Sequence, residues 1–86
     1  MNEAEKEKKE KEELLKRFGE HIVKIRLKKK MSGAELARRC FMDKPNITRL
    51  EKGRINPSLF YLKKICAGLE INLKELFRNF KDEKSS

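Results

Sequence analysis

The chain has 86 residues, 43% of them charged and 37% hydrophobic, with no Trp and a net charge of +9. Length and apolar content allow one domain with a modest core, and argue against a large enzyme cleft. The basic excess points to a polyanionic partner.

The first seventeen residues hold six acids (Glu3, Glu5, Glu7, Glu10, Glu12, Glu13) and six bases (Lys6, Lys8, Lys9, Lys11, Lys16, Arg17), so the whole excess belongs to residues 18–86. Residues 1–13 form a charged arm with almost no apolar side chain. It reads either as helix continuous with the segment from Leu14 or as disordered chain. Glu5 with Lys9 and Glu7 with Lys11 stand at i,i+4 in the favourable order, worth about 0.2–0.5 kcal/mol each. No function attaches to the arm on sequence grounds.

From Leu14, apolar residues recur at Phe18, Ile22 and Ile25, which predicts an amphipathic first helix closed by Lys28, Lys29 and Lys30. Ser32-Gly33-Ala34-Glu35 reads as a capping box opening a second helix to about Cys40, with Leu36, Ala37 and Cys40 inward. Ala37 is small where a neighbouring helix must come close. Phe41-Met42-Asp43 breaks the pattern, and Asp43 is a good N-cap for a third helix over about 44–52. That helix buries Ile47 and Leu50, exposes Lys44, Asn46, Thr48 and Arg49, and ends at Gly53 as a left-handed cap. After a loop through Pro57, Ser58 caps a fourth helix with Leu59, Leu62, Ile65, Cys66 and Leu69 as its stripe and Gly68 near its end. Asn72 caps a short fifth helix with Leu73, Leu76 and Phe77 inward. Residues 14–80 thus make one all-α five-helix domain, and 81–86 a polar tail.

Cys40 and Cys66 fall at apolar helical positions and read as buried free thiols; a disulfide would need a distance that sequence does not give. One His and two separated Cys do not suit a zinc site, and no cofactor is implied. His21 reads as an ordinary surface residue. No nucleophile–base pairing, phosphate-cradling glycine loop or carboxylate cluster stands out, so no enzyme is expected. Neither a leading apolar segment nor a membrane-length run occurs, which predicts a cytoplasmic protein.

The strings FGEHIVKIRLKKKMSGAELARRC, NITRLEKGRINPSL and LKKICAGLEINLKELF resemble the Cro/CI-type, xenobiotic-response-element-like helix-turn-helix family of bacterial and phage regulators. The likeness runs from about Phe18 to Phe77. It implies a lambda-repressor-like bundle that binds double-stranded DNA as a homodimer on an inverted repeat, with the second helix bracing a third, reading helix. On matching positions, Lys44, Pro45 and Arg49 would meet base edges; Asn46 and Thr48 are nearby, where their chemistry suits an adenine edge and a thymine methyl. Arg54 and Asn56 match a loop that touches phosphates; beside that carry-over, Lys28, Lys29, Ser32, Gly33, Arg39 and Lys52 are candidates for phosphate contact, and Lys30 and Arg38 are further basic candidates. Arg26 and Glu51 match a structural salt bridge. Phe60, Ile71, Phe77 and Phe80 would lie at the dimer contact.

Three positions depart from the family pattern. Gly33 stands where Gln is common, which removes one side-chain anchor on phosphate. Phe41 replaces the turn Gly, so a positive φ there would be strained. Pro45 restrains Lys44 from helical geometry, which predicts a third helix starting one residue late. The expected function is a sequence-specific transcriptional regulator, a repressor, with no small-molecule ligand evident. A restriction–modification controller, a mobile-element regulator and an antitoxin are related alternatives. A protein-interaction module with an acidic partner is the reading from another class.

Overall fold

The computed structural model describes residues 2–83; Met1 of the arm and residues 84–86 of the tail lie outside the described residues. Five helices follow in order: α1 (Glu3–Lys28), α2 (Gly33–Arg39), α3 (Lys44–Glu51), α4 (Leu59–Leu69) and α5 (Leu73–Phe77). Among the described residues there is no strand.

The arm is helical. α1 runs for 26 residues from an N-cap at Asn2, whose side chain accepts from the Glu5 N–H at 2.8 Å. Alternating Glu and Lys are good helix formers, and attachment to the anchored part of α1 supplies the nucleus that such a segment would otherwise lack. The i,i+4 pairs expected along it are not closed: among the described residues the ion pairs are Arg26–Glu51, Arg39–Glu35 and Arg39–Glu70.

The caps are distributed differently from the sequence expectation. Ser32 Oγ accepts from the Glu35 N–H at 3.0 Å, but the Glu35 carboxylate turns to Arg39, so only half of that capping box forms. The complete box is at α5, where Asn72 and Glu75 each accept from the other's backbone N–H. Asp43 stands at the N-cap of α3 but its side chain makes no capping bond. α3 nonetheless begins at Lys44, not one residue later, with Pro45 in its first turn, where the missing N–H costs nothing. Gly68 lies near the end of α4 as expected, one residue before Leu69, and the helix stops at Glu70 in the left-handed region.

The core gathers one side of each helix: Phe18 and Ile22 from α1, Leu36 and Ala37 from α2, Ile47 and Leu50 from α3, Leu62, Ile65 and Leu69 from α4, and Leu76 from α5. Met31 is also buried, in the link after α1. Cys40 and Cys66 are buried free thiols. Burial pushes both above the ordinary thiol range. Phe77, expected inward, is 42% exposed.

Two glycines set how closely α1 meets the end of α3. A Cβ on Gly19 would stand 2.3 Å from the Glu51 carbonyl oxygen, so the helices meet backbone to backbone. Gly53 has φ +72°, and a Cβ there would meet Lys16 backbone atoms at 2.7 Å. The loop after α3 is therefore pressed onto α1.

Candidate nucleic-acid interface

α3 is amphipathic over eight residues. Ile47 and Leu50 are each 1% exposed and fix its inner side, while Lys44, Pro45 and Arg49 are exposed and Asn46 and Thr48 are half-buried. Lys44, Pro45, Thr48 and Arg49 line one open surface together with Arg54 from the following loop. Its formal charge is wholly positive.

Three contacts hold this rod at a fixed angle. Arg26 donates from Nε to Glu51 Oε2 at 2.7 Å and from Nη2 to Oε1 at 3.1 Å, a fork-on-fork pair between α1 and the last residue of α3. Its third nitrogen, Nη1, donates to the Met31 carbonyl at 3.0 Å. Both side chains are 13% exposed, so the pair is largely out of water. On the other flank, the Tyr61 hydroxyl reaches the Asn46 carbonyl at 3.5 Å, a weak bond that lays the ring against α3. Burial raises the Tyr61 phenol above its ordinary range.

Arg49 Nη2 donates to Asn46 Oδ1 one turn back. The pair shares one edge of α3, and the remaining nitrogens of the fork stay available to an acceptor. Lys44 lies over the head of α2: its Cε is 3.8 Å from where a Gly33 Cβ would be, and the Arg26 Cζ is at 4.0 Å. The structure thus brings Ser32, Gly33, Lys44 and Arg26 together beside α3.

Other positions lie differently. Lys28 and Lys29 are exposed at the end of α1, and Lys52, Arg54 and Asn56 are exposed after α3. Arg39 is occupied by two carboxylates: it donates to Glu35 Oε2 from Nε at 3.1 Å and from Nη2 at 2.8 Å, and to Glu70. Those bonds, Glu35 first and then Glu70, hold its guanidinium above its ordinary value. Phe41 has φ +58° with its ring 93% exposed.

At the opposite end, Phe80 and Ile71 are half-buried and pack on the core of their own chain. Phe80 sits edge-on to Phe18 at 5.3 Å and beside His21 at 5.2 Å. His21 is not an ordinary surface residue: Nε2 lies 2.6 Å from the Leu76 carbonyl and must donate, tying α1 to α5. Phe77 and Leu14 are the exposed apolar residues that share a surface with Phe18 and Phe80, while Leu59 at 68% and Phe60 at 73% are exposed in the first turn of α4. Leu59 escaped the sequence reading because it continues the apolar period of α4, which marks a core position; only its place at the helix start lifts it off the core.

A short bracing helix, a turn and an outward basic helix seated by a core of Leu and Ile define a DNA-binding regulator. The chain belongs to the Cro/CI-type helix-turn-helix family, whose model matches residues 22–76, and it is a DNA-binding transcriptional regulator. It is 38% identical over 68 residues to the control protein C.MunI of Mycoplasma sp, covering 78% of this chain and 92% of that one. Its fold superposes with a TM-score of 0.69 on the restriction-modification controller protein C.AhdI from Aeromonas hydrophila, at 32% identity over 73% of this chain and 96% of that one. The controller C.Esp1396I, solved as a tetramer in complex with its natural 35 base-pair operator, matches with a TM-score of 0.71 at 32% identity, over 76% of this chain and 87% of that one.

Proposed function

We propose that the chain recognises an inverted repeat in duplex DNA as a homodimer and represses by occupying it, within a restriction–modification locus as its controller. The observation that carries this is the open, wholly basic surface of Lys44, Pro45, Thr48, Arg49 and Arg54 on a helix whose other side is locked into the core. The likeness to three controller proteins supports the choice of locus.

Arg49 is the principal reader: a guanidinium fork matches guanine O6 and N7, worth about 1–3 kcal/mol of discrimination. Asn46 orients it and offers its amide to an adjacent base, while Thr48 and Pro45 present apolar surface to thymine methyls. Lys44, Ser32 and Gly33 at the head of α2, Lys28 and Lys29, and Lys52, Arg54 and Asn56 grip phosphates. Arg39 contributes less than its charge suggests because two carboxylates already neutralise it. Arg26 and Glu51 hold the reading angle.

Leu59, Phe60 and Phe77 form the dimer contact, with Ile71 and Phe80 supporting it from beneath, and set two copies of α3 about 34–36 Å apart. The protein binds without catalysing a reaction and works in the cytoplasm.

Fluorescence anisotropy on duplexes selected from a random pool tests this. A palindrome is expected among the winners, Arg49→Ala is expected to relax base preference, and Lys29→Ala to weaken all sequences alike. Equal weak binding of selected and scrambled duplexes would overturn the reading and favour an acidic protein partner. Sedimentation of Phe60→Ser checks the dimer, which should dissociate.

A further inference from the structure

The helical arm ahead of the matched region has a patterned side. Ala4, Lys8, Lys11 and Leu15 recur at i, i+4, i+7 and i+11, which places them in one stripe along α1. None of the arm's six carboxylates belongs to that stripe: Glu7 and Glu12 flank it, Glu5 lies at the side of the helix, and Glu3, Glu10 and Glu13 point away. An arm with six carboxylates and only four lysines therefore still shows one cationic edge. Lys8 and Lys11 take part in none of the ion pairs among the described residues.

That edge faces the loop after the reading helix. Lys8, Lys11, Glu12 and Leu15 line a groove of about 270 Å³ whose other wall includes Arg54 and Asn56. The two walls are indexed to each other by the backbone contact of Gly53 on Leu15 and Lys16. The lysines are thus held on a rod fixed to the loop rather than carried on free chain. At about 1.5 Å per residue, Lys8 stands roughly 12 Å along α1 beyond the Gly53 contact. Duplex DNA presents a phosphate charge about every 1.7 Å of its axis, so that reach passes several. The family match begins at residue 22, which leaves this stripe outside it.

We propose that the arm is an accessory grip on the DNA backbone, in which Lys8 and Lys11 hold phosphates flanking those held by Arg54 and Asn56. The inference rests on the DNA-binding mode proposed above and lengthens its footprint without adding base preference. The arm's carboxylates keep it from acting as a non-specific polycation: it adds affinity only once the loop has docked and set its cationic edge against the strand.

The test compares the full chain with Lys8→Gln/Lys11→Gln and with the control Lys6→Gln/Lys9→Gln, which removes the same charge from the opposite side of α1. Glutamine keeps helix propensity, and circular dichroism verifies equal helicity. The stripe variant is expected to lower the slope of log K against log salt by about two per protomer, and affinity at 0.1 M salt by about 10–100-fold, with base preference unchanged. The control is expected to follow wild type much more closely. Hydroxyl-radical footprints should lose only the outermost protected sugars in the stripe variant. Equal effects of both double variants, or none from either, overturn the proposal while sequence-specific binding by wild type stands. Absence of specific binding by wild type removes instead the reading on which it rests.

Discussion

Replacing Phe41 by Gly separates the demands of the turn from those of its side chain. Phe41 holds φ +58°, and its ring is 93% exposed, so the substitution deletes almost no buried contact. A left-handed backbone costs a non-glycine residue about 1–2 kcal/mol. Glycine loses about 0.4–1 kcal/mol of that gain through its freer unfolded chain. The net expectation is stabilisation by about 0.5–1 kcal/mol. Unfolding entropy of about 2.1 cal/mol/K per residue gives about 0.18 kcal/mol/K for a chain of this length, so Tm should rise by about 3–6 °C. Thermal unfolding followed by circular dichroism measures it. Phe41→Ala is the control: it removes the ring but keeps Cβ, and should leave Tm within about 2 °C of wild type or lower it. If Gly and Ala shift Tm equally, or Gly lowers it, the backbone account is refuted and the ring has a folded-state role.

The remaining predictions concern the seam between α1 and α3 and the buried thiols. Gly19→Ala should destabilise by about 1–3 kcal/mol in urea, because its Cβ would meet the Glu51 carbonyl and force the helices apart. Glu51→Gln should cost about 3–5 kcal/mol by leaving Arg26 uncompensated, and Arg26→Met/Glu51→Leu should cost less than that single change; urea unfolding midpoints decide the order. Cys40 and Cys66 are raised in the folded state, so the folded form holds its protons to higher pH than the unfolded chain. Their stabilisation is complete below the ordinary thiol range and declines as pH rises through it, from about 8.5 upward. Unfolding midpoints from pH 7 to 10 should fall less steeply in Cys40→Ala/Cys66→Ala.

The helices were legible because periodicity and caps agree. Phe18 and Ile22, Leu36 and Ala37, Ile47 and Leu50, and the α4 stripe from Leu62 onward fell on one side of their elements and are buried. Gly53 marked the end of α3, and Phe41 advertised its own awkward backbone. The features that stayed hidden have tertiary causes. Met31 is buried in a link that no period reaches. Glu35 had two possible partners, and Arg39 took it from the cap. Gly19 gives no local signal, since only the arrival of α3 makes its missing Cβ necessary. His21 is polar on a polar stretch, and its bond to Leu76 spans 55 residues. The charged arm lacked a reason to fold alone and became helix through continuity with α1. At the candidate interface, α3 and its basic residues could be marked from sequence and resemblance. The Asn46–Arg49 bond and the closing of Lys44 over Gly33 required coordinates.

The exposed residues of α3 contribute almost nothing to the interior: Lys44, Pro45 and Arg49 stand outside a seat made by Ile47, Leu50, Arg26 and Glu51. Lettering and chassis are therefore separable in this small protein. New target preferences can be written by exchanging those outward side chains while the scaffold keeps its melting point, so descendants of such a chain can change address without relearning how to fold.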